Sequence, residues 1–348
     1  MNALAHEFPD VLPEPADLAE EEHLKTLLAS RKFDPDKPPG PIVPVFSFND
    51  VTTCTCGNLT TIDAPAKAGK TAILGGMMAA TMKHGKVDTL GVSAENPNGL
   101  PLLHFDTEQS REDHWRAVDQ IRRRAGLEKL PDWYHSYWLA GMPLKDIQKL
   151  IDREIAALIR SGAHSVFIDG LADLVVNVND PAECNDFVAR LHGSAIAIKC
   201  PIVGVIHQNP SPNGKPNKTR GHLGSQLERK SESNLTLEKK GEITTIWSLK
   251  QRRAPILKGK GPCFQWSTIQ QMHVSCQVGE FTPEQLDRMR DELEDIFHEH
   301  PAMRNRDLET TAIAALGKGQ RTIQKKLADY RKAKLLVKSV ANLWEIAK

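Results

Sequence analysis

The stretch Ala64-Pro65-Ala66-Lys67-Ala68-Gly69-Lys70-Thr71 joins an apolar, β-prone run, Leu59-Thr60-Thr61-Ile62-Asp63, to a helix-like run from Thr71 to Met82. Strand, small-residue loop, Gly-Lys-Thr and helix is the context in which a chain binds phosphate. The loop's backbone N–H groups and the helix N-terminus face an anion. In that setting Lys70 reaches the β- and γ-phosphates of ATP, and the Thr71 hydroxyl holds Mg²⁺. The loop begins with Ala64, and Gly69 is its single glycine, so its path departs from the glycine-rich form.

Four further features follow in an order that suits nucleotide hydrolysis. Glu108 closes the run His104-Phe105-Asp106-Thr107-Glu108, where a carboxylate can orient or deprotonate an attacking water. Asp106, two residues earlier and on the same side of an extended strand, is the competing candidate. Thr107 and Ser110 also suit the capping of the next helix. Asp169 ends the apolar strand Ser165-Val166-Phe167-Ile168, a place from which a carboxylate holds Mg²⁺ through water. Gln208 follows Ile206-His207 at the tip of the next strand, placed to sense a γ-phosphate and relay it to the loop beyond. His207 is the neighbouring alternative, or a satisfied structural histidine. Lys250-Gln251-Arg252-Arg253 closes a β-run, with Lys250 and Arg252 on one side of it. Nothing within the chain obviously needs two cations there. A phosphate held by a neighbouring subunit would, with Arg252 as a finger in trans; the alternative is a solvated basic turn.

These side chains must be placed by alternating elements. Strands are expected at 102–106, 137–139, 165–168 and 202–206, and helices at 111–125, 143–161 and 182–199. Near-continuous apolar strands between amphipathic helices predict a parallel sheet covered on both faces. The character changes after Leu223 to hairpins, with strands at 234–237, 244–250 and 263–266. Three helices then run from 283 to about 298, from 306 to 316 and from 320 to 333, before a hairpin around Ser339–Asn342. That order reads as a winged helix whose third helix enters a DNA groove, or serves protein contacts. On it Arg321, Lys325, Lys326, Arg331 and Lys332 are expected to face outward.

At 348 residues the chain is long enough for two domains, or for one domain with appendages. Its net charge of +1 hides an asymmetry: nine acidic and four basic side chains in residues 1–40, against eleven basic and four acidic in 301–348. The basic end points toward a polyanion such as nucleic acid, or is an ordinary solvated face. The N-terminal stretch 1–42 reads as a Pro-rich acidic arm with one helix over 17–30, which is either a docking helix or part of a flexible tail. Cys54 and Cys56 lack a second pair at metal-ligand spacing, which argues against zinc, and free thiols fit a reducing cytoplasm. The N-terminus lacks a basic then apolar leader, and no apolar run is long enough to span a bilayer.

The order Gly69-Lys70-Thr71, Glu108, Asp169, Gln208, Lys250-x-Arg252 resembles the RecA-like P-loop ATPases, and most closely the branch of DnaB-type replicative and plasmid RepA-type hexameric helicases. The resemblance covers roughly residues 43–270. It implies an α/β RecA-like core over 43–279 followed by the winged helix at 280–348. It also implies a homo-oligomeric ring, with ATP at subunit interfaces and Lys250 and Arg252 acting on the neighbour's nucleotide. The segment Asn209–Gly221, which carries Lys215, Lys218 and Arg220, would then be a DNA-contacting loop facing the pore. Read from its residues, that loop is basic and free of aromatics, so its DNA contacts should be electrostatic and salt-sensitive. An extra stretch at 88–101 and the acidic arm, in place of a larger N-terminal domain, depart from the family pattern.

Overall fold

The computed structural model describes residues 15–209, 218–276, 281, 283–339 and 341–347. The chain divides into two units, Met1–Ile42 and Val43–Lys348. The first holds helix α1 (Pro15–Arg31), on which Leu24, Leu27 and Leu28 are exposed.

The second unit opens with β1 (Pro44–Phe48), β2 (Val51–Thr55), β3 (Leu59–Ala64), α2 (Lys70–Met82) and β4 (Val92–Ser93). Next come β5 (Leu102–Asp106), α3 (Arg111–Arg124), β6 (Tyr134–Trp138), α4 (Leu144–Ala157), β7 (Ser165–Asp169), a 3₁₀ turn at Leu171–Leu174 and α5 (Pro181–Ile198). Then follow β8 (Ile202–Asn209), β9 (Lys218–Thr219), α6 (Gly221–Lys230), β10 (Ser233–Lys240), β11 (Ile243–Gln251), β12 (Cys263–Ser267) and β13 (Met272–Cys276). The last elements are α7 (Pro283–Phe297), α8 (Asn305–Leu316), α9 (Gln320–Lys332), β14 (Leu336–Lys338) and β15 (Trp344–Ile346).

The main sheet has the order β13-β12-β11-β10-β3-β8-β7-β5-β6. From β10 to β6 every neighbouring pair is parallel, whereas β11 to β13 extend the sheet antiparallel. Parallel strands need crossover helices, and these cover both faces. On one face α2 and α3 pack with Phe167, Val203 and Val205. On the other, α4, α5 and α6 pack with Val166, Ile168 and Ile202. The alternation along β7 explains its unbroken apolar run: Phe167 serves one core, Val166 and Ile168 the other. Ile147, Ile151 and Ile155 bury one stripe of α4, each contributing about 1.5–3 kcal/mol. A small antiparallel sheet, β2-β1-β4, closes the α2 side; the 88–101 stretch supplies its edge strand β4.

One expected hairpin region is in part a helix. Residues 221–230 form α6, whose Leu223 and Leu227 are buried against the second core. The final three helices and the β14–β15 hairpin surround a core of their own, built on Leu293, Ile296, Leu308, Ile323, Leu327 and Tyr330. Met303 bridges Trp344 beside the hairpin. No helix among the described residues is long and apolar enough to cross a membrane.

Candidate functional site

Parallel register places the ends of β3, β8, β7 and β5 on one edge of the sheet. Ala64 lies opposite His207, and Asp106 opposite Asp169. Crevices beyond the carboxyl ends of such strands are where open α/β sheets hold ligands. Here the β3–α2 loop forms the floor. Ala64 ends β3 and Ala68 is buried, while Ala66 and Lys67 are exposed. Lys67 takes a left-handed backbone conformation at φ 59°. Gly69 has φ 87°, and a Cβ on it would lie 2.7 Å from the Phe264 ring. Both facts demand glycine at position 69, whereas Ala64 sits in ordinary strand backbone and does not.

Gly69 starts α2 with no side-chain cap among the described residues. The first N–H groups of the helix therefore point into the cleft with their dipole intact, an arrangement suited to an anion. The cleft above them is about 530 Å³ and is lined by Lys67, Lys70, Thr71, Glu108, Arg116 and Trp266 among others, a size that accommodates a nucleotide.

Thr71 Oγ1 donates to Asp169 Oδ2 at 3.0 Å, so the threonine of α2 meets the carboxylate ending β7. Gln109 Nε2 approaches the same two oxygens, at 3.3 and 3.5 Å. Asp169 is 2 % exposed. Burial, reinforced by the charges of Asp106 and Glu108, pushes its carboxyl up to about 7, against the hydrogen bond from Thr71 and the charge of Lys70. A carboxylate in that position gains from a nearby cation. No group of three or more metal-ligating side chains occurs among the described residues. That donor set still fits Mg²⁺, which takes one or two protein oxygens and completes its shell with water and phosphate.

Lys70 approaches His207 Nδ1 at 3.1 Å, and His207 Nε2 lies 3.1 Å from the Glu108 carboxylate. An ammonium only donates, so Nδ1 accepts and the Nε2–H donates to Glu108. Burial lowers the pKa of Lys70, while Glu108 and Asp169 oppose that shift. His207 thus occupies the place that the sequence assigns to Gln208. Alternation along β8 turns Gln208 the other way, where its side chain hydrogen-bonds Asp63. The signal for His207 was its adjacency to Gln208; Gln109 had none beyond following Glu108.

Asp106 and Glu108 are separated just as clearly. Asp106 is fully buried, and its two oxygens are committed to the backbone N–H groups of Glu108 and Gln109 and to His114. Glu108 faces the cleft. Thr107 Oγ1 has one hydrogen to donate and lies within reach of Asp173 Oδ2, its nearest acceptor at 2.9 Å, and of the carbonyls of Asp169 and Gly170. Gly170, at φ 118°, leaves no room for a Cβ beside it. Ser110, not Thr107, caps α3.

Lys250 and Arg252 do not join this cluster. Lys250 Nζ donates to the carbonyls of Glu228 and Arg229 at 2.7 and 2.9 Å, and Arg252 Nη2 to that of Lys230 at 3.3 Å. The chain does need two cations there: the orphan carbonyls ending α6 require donors. Arg220 precedes α6 and lines an open groove with Glu108, His207 and Asp173. Lys218 lies in β9, and Lys215 lies outside the described residues. On α9, Arg321 and Lys325 are exposed. Lys326 instead pairs with Glu292 of α7 at 2.6 Å, and Arg331 stacks on Trp344.

No protein-family model matches the sequence, and no curated protein matches it.

Proposed function

We propose that this chain is a Mg²⁺- and ATP-dependent ATPase acting on DNA, with a RecA-like P-loop core and a C-terminal winged helix, working as a homo-oligomeric ring that translocates on or unwinds DNA. The observation that carries the reading is the 3.0 Å contact of Thr71 with Asp169 at the uncapped start of α2. In this reading the N–H groups of Ala68, Gly69 and Lys70 bind the phosphates, and Thr71 and Asp169 hold Mg²⁺. Bound there, the metal would neutralise charge on the phosphates. Lys70 supplies further positive charge, and Glu108 orients or deprotonates the attacking water. His207, bonded to both Lys70 and Glu108, links phosphate binding to the carboxylate. Arg321 and Lys325 of α9, with Lys215, Lys218 and Arg220, are the proposed DNA contacts.

One observation favours a second reading, an ATP-driven switch that does not separate strands: Lys250 and Arg252 are already engaged on α6 of their own chain. Steady-state ATP hydrolysis with and without single-stranded DNA, on protein whose solution mass is measured in the same buffer, decides between them. Stimulation of an oligomer by single strands, followed by strand separation, supports the motor. Hydrolysis indifferent to DNA supports the switch, and no hydrolysis in either condition overturns both.

A further inference from the structure

A chain of polar side chains runs beneath the site. His104 on β5 is 1 % exposed, and its Nδ1 lies 2.9 Å from Ser136 Oγ on β6. The same hydroxyl lies 3.2 Å from Nε2 of His114 on α3. His114 Nδ1 lies 2.9 Å from Asp106 Oδ2. The other oxygen of Asp106 accepts the N–H groups of Glu108 and Gln109, both at 3.1 Å. Ordered hydrogens follow from these partners. His114 Nδ1–H donates to the carboxylate, its Nε2 accepts from Ser136, and the serine accepts from His104 Nδ1–H. His104 Nε2 then has no partner among the described residues. Serine, histidine and aspartate stand in the order of a hydrolase triad, but the Ser136 hydroxyl is held between two imidazoles, and none of the cavities described above is lined by Ser136. The chain's open end is instead the Asp106 turn, whose residues Glu108 and Gln109 reach His207 and the Thr71–Asp169 pair.

We propose that His114 is a positioning residue: by holding Asp106 it fixes the turn at 107–109, and so the placement of Glu108 for hydrolysis, an inference that rests on the ATPase reading. Burial opposes ionisation of Asp106, but the hydrogen bonds from His114, Gln109 and Glu108 outweigh it and hold the carboxyl below its ordinary range. The carboxylate is thus available to accept all three donors.

Two substitutions in the full chain separate the bonds of the imidazole. His114→Asn keeps a donor where Nδ1 stands, and His114→Gln keeps a group where Nε2 stands. The measurements are kcat and KM for ATP, and amide exchange of the 107–110 segment by mass spectrometry. His114→Asn should retain kcat within about threefold, and His114→Gln should lose about tenfold in kcat with KM unchanged, as expected when a catalytic group is misplaced. Exchange of the segment should rise in His114→Gln alone. Equal losses in both variants, or unchanged exchange in His114→Gln, would overturn the inference. Wild-type protein without ATP turnover would overturn the ATPase reading instead, and the exchange comparison would still decide whether His114 holds the turn.

Discussion

Two helix ends of this molecule are treated in opposite ways. At the start of α2 no side chain among the described residues caps the N–H groups, and the cleft lies beside them. At the end of α6 the last carbonyls receive Lys250 and Arg252. Both ends carry a partial charge and orphan backbone groups. Satisfied within the chain, such an end is architecture; left open beside Lys70 and a buried Asp169, it is where the proposed nucleotide would bind. The contrast separates cations by what they do rather than by how many of them lie close together in sequence.

The largest effect that would sharpen the contrast is expected at the open end. Lys70→Ala should reduce ATP hydrolysis on the order of 10³-fold through lost phosphate stabilisation; retained turnover in a phosphate-release assay would refute the phosphate site. Glu108→Gln should lower kcat about 10²-fold while nucleotide affinity, read by fluorescence titration, stays unchanged. If Asp106→Asn does this with an intact turn while Glu108→Gln does not, the two carboxylates have been assigned the wrong way round.

The buried Asp169 gives a pH signature in nucleotide- and metal-free protein. Its folded pKa of about 7 lies above the ordinary aspartate value of 3.8. The neutral form is therefore favoured by folding. Its stabilisation is fully present below about pH 4 and is lost as pH rises to about 7, a difference on the order of 4 kcal/mol. Denaturant midpoints should show Asp169→Asn gaining on wild type across that window; parallel pH curves would count against the burial of an ionisable group here.

The closed end should respond through stability. Lys250→Ala or Arg252→Ala should each cost about 0.5–1 kcal/mol by exposing the α6 carbonyls. Trans action is tested separately, by mixing Arg252→Ala with Lys70→Ala subunits: activity regained in the mixture would add a second role, and a fully active Arg252→Ala protein would exclude the finger. The smallest effect is expected at Lys326, where removal of the half-buried pair with Glu292 should cost about 0.2–0.5 kcal/mol and leave ATP turnover untouched.

What could be read from sequence follows from how local each signal is. The strands 102–106 and 165–168 were legible because burial on both faces leaves a near-continuous apolar run. Motif order picked out Thr71 and Asp169 separately, and the hydrogen bond between them appears only in the fold. Helix α6 was missed because Gly221, Gly224 and Ser225 weaken its helical signal and only Leu223, Gly224 and Leu227 are buried. With that helix unseen, Lys250 and Arg252 had no visible partner. His207 and Gln208 changed places because facing depends on where β8 ends and how it pairs, which a run of apolar letters does not give. His114 was invisible as a neighbour of Asp106: eight residues apart, they meet only once strand and helix have packed.

Asp63, the next-to-last residue of β3, holds more than its own strand. It binds Thr219 of β9, Thr236 of β10 and Gln208 of β8, and Gln208 pairs in register with Thr219. Both stems of the segment between β8 and β9 are therefore tied at one buried point. A base clamped in this way anchors the chain on both sides of the segment, so the register of the strands that carry His207 and Ala64 is set by Asp63 and its partners.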